Sequence, residues 1–418
     1  MGVRQAVAAM AVMLAGACLA GEVAVTNVRA SQHTGSKLVD IFYDVASGDS
    51  DRLTVSAAIM TNGVVVPDSC LIGDVGAGVR PGAGKRIVWN AGPDWNGPRS
   101  GSVRVSIVAD DGRVLSTGDY LVIDLSGGAS AGSYPVTYLG GVPVGGWTDT
   151  YKTAKLVLRK IPAGTFTMGS PTEERERDHD EAQHAVTLTK PFFIGVFEVT
   201  QRQWELVMGN RPSFFNNAEY YAARPVEQVS YYDIRENPDN SAISPHWPQS
   251  AQVHADSFIG RLRAKTGLTA LDLPTESQWE YACRAGTETA LNSGKNLTST
   301  EQDANVAEVG RYWYNGGSGY SQGCAPTAGT AIAGSYLPNA WGLYDMHGNA
   351  WEWCLDWYGT YPGAAIDPMG PVAGSVRMLR GGSWIINARF CRSANRSYYY
   401  WPDYRHFLVG FRAAMTLP

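Results

Sequence analysis

The stretch Asn339–Trp357, NAWGLYDMHGNAWEWCLDW, constrains this chain more than any other. Four of the protein's 13 Trp fall within these nineteen residues, among glycines and acidic side chains. An extended run from Ala350 to Trp353 puts Trp351 and Trp353 on one face, with Ala350 and Glu352 on the other. One face is then apolar, and the other offers a carboxylate beside a loop with free carbonyls. Asp345 and Glu352, with the main-chain oxygens of Gly348 and Ala350 between them, form a run of hard oxygen donors. Such donors suit Ca²⁺, and two carboxylates balance its charge.

A chain of 418 residues has room for two or three domains. Its 44% hydrophobic and 17% charged content is that of a globular protein, and 47 Gly with 22 Pro favour loops and short strands. Net charge is −5 with no basic run, which argues against nucleic acid as a partner. At the N-terminus Arg4 precedes an apolar run, Ala6 to Leu19, too short to span a bilayer. Small residues at Cys18 and Ala20 mark residues 1–20 as a signal peptide, with Cys18 as a lipidated residue the alternative. The mature chain is then exported (periplasmic, cell-surface or secreted), begins at Gly21 and carries no transmembrane anchor. Cys70, Cys283, Cys324, Cys354 and Cys391 remain, in spacings that match no zinc pattern; disulfides and buried thiols are both open.

Residues 21–125 read as short alternating strands, for example Leu53–Ala57 and Val103–Ile107, separated by turn residues. This pattern predicts an all-β sandwich, immunoglobulin- or fibronectin-III-like. Gly76–Arg86, GAGVRPGAGKR, fails the phosphate-loop pattern and reads as a hairpin loop. Residues 126–150, rich in Gly, Ser and Pro, read as a linker, and a second domain occupies 151–418. In it Thr200 caps a helix over Gln201–Met208, Ser250–Lys265 reads as a second helix ended by Gly267, and Thr275–Gln278 is a capping box opening a third. His179 and His184 are five residues apart, a spacing that does not stack two ligands on a helix face. Gly319–Gly323 matches G-x-S-x-G without the strand-to-helix turn that the motif needs.

Several segments occur in a set order: Met168-Gly169-Ser170, Glu198-Val199-Thr200, Pro225-Val226, Leu273-Pro274-Thr275-Glu276, Gly348-Asn349-Ala350-Trp351-Glu352-Trp353, Arg380-Gly381-Gly382-Ser383-Trp384 and Gly410-Phe411-Arg412. Together they resemble the sulfatase-modifying-factor family, to which the formylglycine-generating enzyme belongs. The resemblance covers residues 151–418. It implies an α+β, C-type-lectin-like fold with little regular structure. It also implies structural calcium at Asp345, Gly348, Ala350 and Glu352, and a second site using Asn305 and Val306 with further ligands in Asn315–Ser318.

The family's reaction uses two cysteines after the Gly-Gly-Ser strand, a thiolate pair that grips copper. Here Ile386 stands at the first position; Cys391 falls at the second when the segment is aligned from the Gly-Gly-Ser side and matches neither when it is aligned from Arg392 and Arg396, and the missing pair argues against copper. Ser383, Cys391, Trp351 and Arg396 correspond to positions around the family's pocket. The aromatic run after them supplies Tyr398, Tyr400, Trp401 and Tyr404 as candidate ligand-binding residues, since Tyr and Trp give rigid contact area with a polar tip. The chain is therefore expected to be a binding module for an extracellular protein, peptide or glycan. A metal-dependent oxidase of the same family, using a divergent site, is the alternative.

Overall fold

The computed structural model describes residues 24–417 apart from 34–35, 37, 48–51, 62–63, 66–70, 92–102, 111–117, 240, 317–327 and 399. The expected signal peptide at 1–20, Cys70, Cys324 and the Gly319–Gly323 run lie outside the described residues. The chain divides into two compact units between Leu115 and Ser116.

The first unit is all-β. One antiparallel sheet sets Ala24–Gln32, Leu38–Ala46, Gly82–Asn90 and Leu71–Gly73 side by side in that order. The other pairs Leu53–Thr61 with Val103–Asp110 along its length, and with the shorter Val64–Val65 and Gly76–Val79. Alternate residues from both sheets make one core: Ile41, Tyr43 and Val45 with Leu53, Val55, Ala57 and Ile59. That is the period of two expected of half-buried strands. The Gly76–Arg86 run corrects the expectation of a hairpin. Gly76–Val79 pairs with Leu53–Val55, whereas Gly82–Asn90 pairs with the Leu38–Ala46 strand. The chain thus passes from one sheet to the other at Arg80–Pro81. Pro81 has no N–H to lose from a ladder, and Gly82 turns through φ +151.

The second unit mixes short helices with three small sheets. The largest runs Val136–Leu139, Tyr120–Asp124, Lys155–Ile161, Phe192–Gly195, Ala414–Thr416 and Leu271–Asp272, each antiparallel to its neighbour. Tyr120–Asp124 therefore belongs here, although composition places the domain boundary at residue 125. Its strand has two apolar faces, Leu121 and Ile123 in one core and Tyr120 and Val122 in another. The Gly- and Ser-rich stretch after it is pinned rather than free: Tyr134 is buried, and its hydroxyl donates to the Leu206 carbonyl at 3.1 Å.

Local capping signals place two helices as expected. Thr200 and Thr275 each close a capping box, on Gln201–Met208 and Glu276–Arg284. The expected Ser250–Lys265 helix is shorter, Phe258–Thr266, because Ser257 rather than Ser250 accepts the Gly260 amide. Gly267 ends it in the left-handed region, φ +74. A short helix at Ala304–Val309, capped by Asp303, carries too little apolar period to read from sequence. Among the described residues no helix is long and apolar enough to cross a membrane.

The Trp351–Trp357 strand lies between Arg377–Arg380 and Val409–Gly410, and every residue of it is buried. Trp351, Trp353 and Leu355 enter the main core, while Cys354 enters a second core with Trp279 and Met346. The face that carries Glu352 is thus as dry as the tryptophan face.

Replacing Ser257 by Ala should cost about 1 kcal/mol in urea unfolding, as loss of an N-cap does, and Ser250→Ala only a few tenths. Equal losses would place the helix start at residue 250.

Candidate functional site

Backbone strain and close packing shape the loop before the tryptophan strand. Asp345 and Asn349 adopt φ +57 and +64, and Gly348 adopts φ +101. A Cβ on Gly348 would run into the Arg311 carbonyl, so glycine is required there. Glu198 then fixes the loop from below. Its Oε2 accepts from the Asn349 side-chain amide at 2.6 Å, and its Oε1 from the Ala350 N–H at 3.0 Å. Asn349 completes the brace by accepting the Ala331 amide at 2.8 Å.

Glu352 sits beside this brace with a full complement of donors. Arg412 donates to both its oxygens, at 2.6 and 2.5 Å, and the Trp279 indole donates at 2.6 Å. Asp345 is less well served. Its Oδ2 accepts the Gly334 amide at 2.6 Å, and its buried Oδ1 has no partner among the described residues. Burial pushes Asp345 up to about 6. Glu198 is pushed well above the carboxylate range, first by burial and then by Asp345 and Glu352. Three buried carboxylates thus face one buried guanidinium. An orphaned oxygen and an excess of negative charge fit a divalent cation bound through oxygen. Asp345 and Glu352 would supply carboxylate oxygens, and Gly348 and Ala350 carbonyls. Three donors leave Glu352 one of its four lone-pair sites.

At the second expected location the local hydrogen bonds leave lone pairs on the Asn305 Oδ1 and the Val306 carbonyl. The Asn305 amide donates to the Asn296 carbonyl, and the Val306 carbonyl accepts the Gly310 amide. The Asn315 side chain bridges the Tyr312 amide and the Gly310 carbonyl, while 317 and 318 lie outside the described residues. Elsewhere Asp178, His179 and Asp180 bring three ligand atoms within 4.8 Å of one another, with Asp178 and His179 fully on the surface. His179 Nδ1 already meets Asp178 at 2.7 Å, an ordinary exposed pair. His184 lies apart, its ring tilted at 45° against Tyr361 with centroids 4.4 Å apart.

Ser383 and Cys391 come together. The Ser383 amide faces the Cys391 sulfur, and a Cβ on Gly382 would lie 2.7 Å from that sulfur. Burial pushes the thiol up to about 12, and the Ser383 hydroxyl is buried without a partner. Ile386, half-buried, fills the space between two cores. Trp351 is buried in the main core. Arg396 is held elsewhere, in a two-bond ion pair with Glu276 at 2.7 and 3.0 Å.

The C-terminal aromatics split into two groups. Tyr400 and Tyr404 stack at 4.6 Å and 7°, and His406 and Phe407 extend the stack. Phe407 meets Phe214 and Phe215, and Phe215 meets Trp384. Trp401 stands out at 62% exposed, with Tyr404 at 39% and Phe214 at 37%. Tyr398 turns away and stacks on Tyr358 at 4.0 Å. Sequence reading missed Phe214, His406 and Phe407, which lie outside any motif. Glu227 anchors the Phe214 turn, accepting the Phe214 and Phe215 amides at 3.0 and 2.9 Å. Burial pushes it up to about 7. The Trp384 amide donates to the Asn349 carbonyl, which joins the rim to the loop.

Residues 149–417 match the family model described as "Sulfatase-modifying factor enzyme 1-like domain". The formylglycine-generating enzyme of Streptomyces coelicolor is 37% identical over 61% of this chain and 88% of its own length. That of Bos taurus is 30% identical over 61% of this chain and 73% of its own. The serine/threonine-protein kinase pkn1 of Chlamydia pneumoniae matches 54% of this chain at 35% identity, over 32% of its own length. Among solved structures, Treponema denticola variable protein 1 is 29% identical and covers 63% of this chain and 96% of its own, with a TM-score of 0.48.

Because the folded-state value of Glu227 is raised, its contribution to stability is fully present below about 4.5 and is lost as pH rises toward 7. Glu227→Gln removes that dependence. Between pH 5 and 8 the parent chain should lose on the order of 2 kcal/mol more than the variant in urea unfolding. Parallel pH profiles would show that Glu227 titrates normally.

Proposed function

Because the chain belongs to the sulfatase-modifying factor family over residues 149–417, we propose that it is an exported binding module built on that family's scaffold. The observation that carries this reading is the pair of positions at 386 and 391. An isoleucine side chain donates nothing to a metal, and the remaining thiol is buried under Gly382 with its proton held tightly. The residues present therefore do not fit a two-thiolate copper centre, and no step is derived through one.

What the chain keeps is a rigid support for an aromatic edge. Glu198 and Asn349 hold the loop, the loop holds Trp384, and Trp384 backs the rings of Phe215 and Phe407. Trp401, Tyr404 and Phe214 then present apolar area at low entropic cost, backed by stacked Tyr400 and His406. The ligand is an extracellular protein, peptide or glycan. Calcium at Asp345, Gly348, Ala350 and Glu352 stabilises the loop, and the N-terminal all-β unit, immunoglobulin- or fibronectin-III-like, acts as a spacer. A second calcium site would use the Asn305 Oδ1 and the Val306 carbonyl, each of which keeps a lone pair.

Three measurements bear on this reading. Calcium at a hundredfold over its dissociation constant should stabilise the chain by about 2.7 kcal/mol, and Asp345→Ala should abolish the gain. A peptide bearing Cys-x-Pro-x-Arg, incubated with the chain, Cu(I) and oxygen, should remain unmodified by mass spectrometry; conversion to the aldehyde would establish the oxidase alternative. Trp401→Ala should weaken binding to the cognate ligand at least tenfold while leaving the melting temperature within a few degrees. An unchanged affinity would move the binding surface away from the rim.

A further inference from the structure

A cavity of about 300 Å³ lies between the first turn of the Glu276–Arg284 helix, the end of the Trp351–Trp357 strand and the segment 359–371. Asp356, Glu276, Arg396 and His184 line it, with Trp357 and Tyr361 as aromatic walls. Glu276 and Arg396 satisfy each other through two hydrogen bonds, and the Tyr361 hydroxyl adds a third to Glu276 at 3.2 Å. The one cation on the wall is therefore consumed.

Asp356 is in a different position. It is 3% exposed, and its Oδ2 accepts the Glu276 amide at 2.7 Å. Its Oδ1 has no hydrogen-bond partner among the described residues. Arg377 and Arg396 attract it only at a distance, and the Glu276 carboxylate repels it. Burial, then that repulsion, pushes Asp356 up to about 7. His184 Nδ1 lies 2.9 Å from the Ala182 carbonyl, so that nitrogen carries a hydrogen, and in the uncharged form of the ring the lone pair is on Nε2. The cavity thus combines an uncompensated carboxylate, a nitrogen acceptor and two aromatic walls. This is the chemistry that recognises a positively charged hydrogen-bond donor.

We propose that this cavity binds a small organic ammonium ion, with Asp356 as its counter-ion. The volume lies at the lower end of small-molecule pockets, which restricts the ligand to a short alkyl chain. Without a ligand the Asp356 carboxyl holds its proton on the acid side of about 7. An ammonium group replaces that proton, so binding releases a proton to solvent and tightens as pH rises. The site is separate from the aromatic rim and stands or falls independently of it.

Calorimetric titration of the intact chain with n-butylammonium chloride tests this, with n-butanol and butyrate as neutral and anionic analogues. Butylammonium should bind at pH 8 and about tenfold more weakly at pH 6, and neither analogue should bind. Asp356→Asn should lose more than tenfold in affinity, and His184→Asn should keep the pH dependence. Asp356 also anchors the helix start, so Thr360→Trp gives a second arm: Thr360 is exposed at the cavity wall, and the indole should fill the cavity without disturbing the core. Butanol binding as tightly as the amine would overturn the proposal, as would no amine binding at pH 8. So would undiminished affinity in either the Asp356→Asn or the Thr360→Trp variant.

Discussion

The ion pair between Glu352 and Arg412 ties together three distant parts of the second unit: the tryptophan strand, the C-terminal Phe411–Arg412 and, through the Trp279 indole, the Glu276–Arg284 helix. Removing either charge would strand the other in a dry core, at a cost of about 3–5 kcal/mol. Buried arginines also satisfy main-chain carbonyls in other parts of this loop-rich fold. Arg311 donates to the Gly329, Asn315 and Gly316 carbonyls, Arg377 to Leu355, Arg380 to Ala394, and Arg412 to Gly195 and Tyr344. A buried backbone oxygen must find a donor, and the guanidinium fork reaches two or three at once.

Much of the architecture could be read locally. Capping boxes at Thr200 and Thr275 placed their helices because both partners lie within four residues. The ordered segments from Met168 to Arg412 placed the family. What could not be read was anything decided across the chain. Ser250 and Ser257 are both capping residue types, and the chain uses the second, whose hydroxyl accepts the Gly260 amide, while the Ser250 hydroxyl accepts the Gln252 amide in a turn. Gly76–Arg86 looks like a hairpin because its two strands are adjacent, yet each finds its partner in a different sheet.

For the candidate site, residue types were legible and their partners were not. Asp345 and Glu352 stood out as oxygen donors, but Glu198, which braces the loop between them, lies 151 residues before Asn349. The resemblance places Arg396 and Ser383 around one pocket. Arg396 instead answers to Glu276, 120 residues away, because a buried arginine goes where a carboxylate can pay its desolvation. The aromatic run 398–404 contains residues of two kinds, outward Trp401 and Tyr404 and inward Tyr398, and alternation along an irregular loop gives no rule to separate them.

The rim also bears on how such a chain can change over generations. Its outer rings are exposed and contribute little to the core, while the groups beneath them, Glu227, Asn349 and Trp384, are fixed by contacts that do not involve the exposed ring tips. Substitution at 401 or 404 is therefore nearly silent for folding, and substitution one layer down is not. Such a division lets selection explore new surfaces at the edge without spending the stability margin, so diversity between relatives should concentrate at the outer rings and fade within one side-chain layer of them.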